Sequence, residues 1–225
     1  MKERPILFST SMVQGIRADS KTETRRTTNL KEINENPDDW NLTYKEDGSI
    51  FWGTDEGNEA IFLNEEKVRF IKNPYGQPGD VLWVRESFAP FGKDYVFKSN
   101  PLARDLDIKW KPSIHMPKAV ARIWLMVESV SLERLEDITD DGAIAEGVMT
   151  NAQGFHDYEA VLPFFPLARD SFYSLWRSIN GKESSQANPW VWVVKYRVLT
   201  KTGDLDLYDI YAQSFDIQRI ERKKK

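Results

Sequence analysis

The chain has 225 residues, 40% of them hydrophobic and 12% aromatic, enough to bury a full core as one large domain or one domain with insertions. A formal charge of −4 and a pI near 5.4 exclude a protein that coats nucleic acid through bulk electrostatics, because neutralising phosphates takes clustered Lys and Arg. The absence of cysteine excludes disulfides, thiolate chemistry and Cys-based zinc sites, and His115 and His156 are the only imidazoles, so chemistry without metal or cofactor is expected.

Neither Met1 to Leu7 nor any later stretch has the length of a signal segment or the roughly 20 apolar residues a bilayer needs, so a cytoplasmic protein without membrane insertion is expected. A short apolar strand at Ile6 to Phe8 leads to a helix with Ser11 as N-cap and Met12, Val13 and Ile16 on one face, ending near Asp19 and Ser20. From about 28 to 73 the chain turns polar, with aromatic pieces at Ile50 to Trp52 and Ala60 to Leu63, and reads as an insertion carrying a small hairpin.

Pro74 to Asp80 forms a turn into the strand Val81 to Arg85, and residues 88–117 read as a second, loop-like insertion. A long strand is predicted from Ala119 to about Ser131, with Ala119, Ala121, Ile123, Leu125 and Val127 on one face and Arg122 and Trp124 on the other. The run LEDITDDGAIAEG predicts a short helix with Thr139 as N-cap, Glu146 in its last turn and Gly147 at C′. Phe172, Leu175, Trp176 and Ile179 recur at helical spacing before the Asn180-Gly181 stop. Trp190 to Leu199 alternates as a strand; beyond it lies an extension, 201–225, with a possible strand at Leu205 to Tyr211 and a basic tail. Strands separated by long connections do not make a doubly wound parallel sheet, so the expected architecture is α+β, a partly open barrel with flanking helices.

The densest chemical signal is Ser20 to Arg26, SKTETRR, with an amine, three hydroxyls, a carboxylate and two guanidiniums within seven residues. Alone it reads first as a solvated helix end, since helix C-termini favour cations. Together with PGDVLWVRE, LEDITDDGAIAEGV and WVWVVKYRVL, in this order, it resembles the ASCH domain of the PUA-like superfamily, in the larger form common in phage genomes. The resemblance spans Pro5 to about Leu199 and implies a PUA-like barrel over residues 1–200, in host cytoplasm if phage-encoded.

One branch of that family comprises small bacterial N4-acetylcytidine amidohydrolases, whose site is a Lys, a Thr three residues on and a Glu after the central strand. By motif these fall on Lys21, Thr24 and Glu146, with the arginine two residues past the threonine at Arg26. A glycine often precedes the basic residue before that lysine; here Asp19 and Ser20 stand in the turn. The chemistry is intelligible without the resemblance. A desolvated lysine of lowered pKa can take the proton of a threonine hydroxyl, and a carboxylate can serve the leaving amine or position water. That is amide hydrolysis through an acyl-threonine.

Further candidate contacts are Arg25, Arg85, Glu86 and His115, the Arg85–Glu86 pair being open to an ion pair within the fold and His115 to a packing role. Trp83, Trp110, Trp124, Trp190 and Trp192 can stack on bases or fill the core. Three functions follow: an amidohydrolase for an acylated cytosine nucleoside or similar small amide; a non-catalytic module binding single-stranded RNA or a modified base; and an accessory protein binding a host factor.

Overall fold

A computed structural model gives the structure of residues 1–45, 50–52, 59–103 and 106–201. In chain order the strands are β1 (Glu3–Leu7), β2 (Glu23–Arg26), β3 (Asn41–Leu42), β4 (Phe51–Trp52), β5 (Glu59–Leu63), β6 (Val68–Lys72), β7 (Val81–Arg85), β8 (Phe88–Phe91), β9 (Asp94–Phe97), β10 (Ile123–Arg134), β11 (Thr150–Asn151), β12 (Gly154–Phe155) and β13 (Trp190–Lys201). The helices are α1 (Thr10–Arg17), α2 (Asp140–Ala145) and α3 (Ala168–Asn180). The architecture is mixed α+β. No helix among the described residues is long and apolar enough to cross a membrane.

The main sheet runs β1-β7-β10-β13-β2, with β1 parallel to β7 and the other pairs antiparallel. It does not close into a barrel among the described residues. Its two edge strands nevertheless approach each other, since the Arg26 guanidinium donates to the Leu7 carbonyl at 3.0 Å. Between them α1 lays Val13 and Ile16 into the core, each apolar side chain contributing about 1.5–3 kcal/mol when fully buried. The N-cap is Ser9, two residues before the expected Ser11, because the Ser9 hydroxyl accepts from Met12 N–H.

Strand β10 begins at Ile123, not Ala119, as Lys118–Val120 form a 3-10 turn. Its burial follows Ile123, Leu125 and Val127, then slips to Val130 and Leu132 across an irregularity between Val127 and Ser129. A bulge moves the apolar set by one residue, which strict alternation cannot anticipate. Strand β13 is buried on both faces up to Val194, and from Lys195 on one face is exposed. Trp192, Val194 and Tyr196 join the central core, while Val191 and Val193 pack with Phe172 and Trp176 of α3.

The described residues of both expected insertions carry regular structure. Within 28–73, β3 to β6 make a four-stranded sheet in which β4 and β5 form the expected pairing, and Trp40, Leu42, Ala60 and Phe62 merge into the central core. Residues 88–117, read as loop-like, contain the β8–β9 hairpin, with Ala89, Phe91, Val96 and Ala103 as a separate small core. The expected strand at Leu205 to Tyr211 and the basic tail lie outside the described residues.

Candidate functional site

Helix α2 delivers the carboxylate. Its N-cap is Thr139, whose hydroxyl accepts from Gly142 N–H at 3.0 Å, and it ends at Glu146 because Gly147 follows at φ +83°. The last carbonyls of such a helix have no partner within it. Here Thr22 N–H donates to Ala145 O at 2.9 Å and Lys21 Nζ donates to Glu146 O at 2.8 Å, a cation at the negative end of the helix.

Lys21 Nζ also donates to Glu146 Oε2 at 2.5 Å and to Glu23 O at 2.8 Å, and the lysine is only 2% exposed. The other carboxylate oxygen, Glu146 Oε1, accepts from Arg25 N–H at 2.5 Å. Lys21 and Glu146 thus grip the two peptide groups on either side of Thr24, on the edge of β2 that β13 leaves free. Burial pushes the Lys21 ammonium below the ordinary lysine range of 10.5, opposed by the Glu146 carboxylate.

Side chains alternate along β2. Arg25 lies over the Phe172 ring at 5.7 Å, pairs with Glu133 Oε1 at 2.7 Å and has Nη1 2.6 Å from Glu23 Oε1, an ion pair outside hydrogen-bond geometry. Arg26 lies over Phe8 at 5.3 Å on the opposite face, where Lys21 Nζ is 5.9 Å from the same ring and the Tyr196 ring is 6.2 Å from it. Thr24, opposite Val194, is fully buried, and its hydroxyl has no hydrogen-bond partner among the described residues. The Tyr196 hydroxyl is likewise buried and unpartnered.

Two cavities meet at Met12, Glu146 and Leu175. One, of about 210 Å³, is also lined by Ser20, Lys21, Gly147 and Tyr158; the other, of about 70 Å³, by Arg25, Arg26, Phe172 and Trp176. Lys21, Arg25, Arg26 and Glu146 are therefore brought to one concave region, while Thr24, fully buried, lines neither cavity. The remaining candidates are elsewhere. Glu86 is buried in a network with Arg122, whose Nε donates to Oε1 at 2.8 Å and whose Nη2 donates to Ser99 Oγ at 2.7 Å. Arg85 donates to the Ile114 carbonyl and lies over Trp83, and His115 is exposed in a 3-10 turn.

Among the described residues no three His, Asp or Glu side chains are grouped to hold a metal ion. Tyr196 escaped the sequence reading of the site because it sits in the apolar alternation of β13, where a tyrosine reads as core. Comparison with protein-family models, with curated proteins and with solved structures returned no match.

Proposed function

We propose that this chain is an ASCH-type, PUA-like domain that hydrolyses the amide of an acylated cytosine nucleoside or a similar small amide, with Lys21 and Glu146 as its proton-handling pair. The observation that carries the reading is the buried contact of 2.5 Å between residues 125 positions apart, at the wall of a cavity. A lysine and a carboxylate held together away from water exchange a proton at small cost, and a buried lysine of lowered pKa is a base at accessible pH. Thr24 is the intended nucleophile: its hydroxyl has no hydrogen-bond partner among the described residues, and Lys21 and Glu146 hold the backbone on both sides of it. Arg26, at the wall of the smaller cavity, is placed to bind the ligand.

The second reading is a non-catalytic module for single-stranded RNA or a modified base. Its support is that all three protons of the Lys21 ammonium are already engaged and that Thr24 lines no cavity. In that case the pair is a structural clasp on an edge strand. An amide-hydrolysis assay across acylated nucleosides, with Lys21→Ala as control, separates the two. Release of free acid that depends on Lys21 supports the enzyme; binding without release supports the module.

A further inference from the structure

The cavity beside Lys21 and Glu146, at about 210 Å³, is smaller than the roughly 300–1,000 Å³ usual for ligand-sized sites. It suits one ring rather than a whole nucleoside. A larger hollow of about 490 Å³ adjoins it, lined by Ser9, Thr10, Ser11, Gln14, Lys98 and Trp110, and the two share Ser11 and Gln14 along one side of α1. Gln14 ties the junction to the second insertion, its amide donating to the Ser99 carbonyl at 3.4 Å.

The outer hollow has a distinct chemistry. No carboxylate of the described residues lines it, whereas Glu146 lines both inner cavities and another cavity, of about 700 Å³, is walled by Glu32, Glu35, Asp38, Asp39, Glu65 and Glu66. Lys98 is exposed and has no ion-pair partner among the described residues. Trp110 is half-buried against the small core of the insertion and also lines the hollow. Among the described residues the hollow thus joins an unpaired cation, several hydroxyls and an aromatic side chain without a carboxylate, the combination that takes a phosphate and a stacked base.

We propose that this outer hollow is a second nucleotide subsite, in which Lys98 holds a backbone phosphate and Trp110 stacks the neighbouring base of a short single-stranded oligonucleotide. The inference rests on the reading of the inner cavity as a cytosine site. It gives the second insertion a role, and it reconciles nucleic-acid recognition with a chain of net charge −4, because attraction is confined to one place. One phosphate contact gives a shallow salt dependence, with a slope near one.

Titration calorimetry of the full chain with cytidine and with cytosine-containing dinucleotides of both orders tests the proposal, using the intact protein, Lys98→Gln and Trp110→Leu, the latter keeping apolar packing. One dinucleotide order is expected to bind about tenfold or more tighter than cytidine, as one stacked base provides. That gain shrinks three- to tenfold in each variant. Equal affinity for cytidine and both dinucleotides, a gain that survives in both variants, or no binding by any of these ligands overturns the subsite. Dinucleotide binding that depends on Lys98 and Trp110 in a protein unable to hydrolyse N4-acetylcytosine overturns amide hydrolysis alone.

Discussion

Gly147 and Lys21 touch so closely that a Cβ built on Gly147 would lie 2.9 Å from the Cβ of Lys21. The glycine is also at φ +83°, a conformation that L side chains avoid. Position 147 therefore serves the site twice, by ending α2 at Glu146 and by letting the lysine stem pass. Gly147→Ala meets both obstacles, and a loss of about 1–3 kcal/mol in urea unfolding is expected. A change below a few tenths would mean that α2 and Lys21 are not seated this way.

The ion pair gives a second test. Glu146→Gln leaves the Lys21 ammonium buried with only carbonyl partners, which costs about 3–5 kcal/mol for a broken buried pair. Lys21→Met in the same chain removes the stranded charge. The double variant should then lose less than the two single losses added, by about 0.5–3 kcal/mol in denaturant titrations. Additive losses would place the two side chains out of contact.

Glu86 and Arg122 provide a contrasting pair. Glu86→Gln weakens the partner of a buried guanidinium that lies 4.0 Å from the Phe97 ring centroid, so stability falls by about 2–4 kcal/mol. Ligand affinity, measured at a temperature where the variant is folded, should stay within about twofold, because Glu86 lines none of the cavities described around α1. A large loss of affinity would restore Glu86 to the ligand site.

Much of this was legible from residue pattern alone. The strand at Val81 to Arg85, the Thr139 cap, the Gly147 stop and the α3 repeat rest on local rules of alternation, capping and helical period, and each appears where those rules put it. The approach of Lys21 and Glu146 came from motif resemblance, since nothing local in either segment specifies a contact across 125 positions. What was not legible depends on partners distant in sequence. The bulge in β10 is set by its pairing with β13, and the β8–β9 hairpin is held by a small core whose members look like ordinary loop residues. The burial of Thr24 follows from β2 joining the sheet edge, which a cluster of polar residues after a helix does not announce.

Tyr196 predicts an alkaline signature. Burial raises its phenol well above 10.0, with Glu146 adding to the shift, so the folded chain keeps the proton where the unfolded chain releases it. For a group whose folded pKa is raised, its contribution is fully present below the unfolded value and is lost as pH rises. The unfolded state binds fewer protons above pH 10, and stability falls there. Tyr196→Phe removes the titrating phenol and a buried hydroxyl without a partner among the described residues. It should unfold at equal or higher urea than the parent at neutral pH, by up to about 1–3 kcal/mol, and show a shallower decline above pH 10. An identical decline in both proteins would assign the alkaline loss to other groups.

Thr24 and Arg26 decide between enzyme and binding module. In the acyl-threonine route Lys21 must shed a proton, to Glu146 or to water, before its amine can take the proton of Thr24, so the rate of amide hydrolysis should rise with pH and level off below the ordinary lysine value of 10.5. Thr24→Val keeps the shape of a fully buried side chain and removes a hydroxyl that no described residue uses, so folding should be unimpaired. Hydrolysis should fall by about a thousandfold or more while affinity stays within about threefold, the pattern of a group that acts only in the chemical step. Arg26→Ala should instead raise KM more than it lowers kcat, because Arg26 lines the smaller cavity and Thr24 does not. Retention of full kcat by Thr24→Val removes the acyl-threonine route. Loss of affinity without any measurable turnover in the parent leaves the cleft as a binding site in which Lys21 and Glu146 clasp the edge of β2.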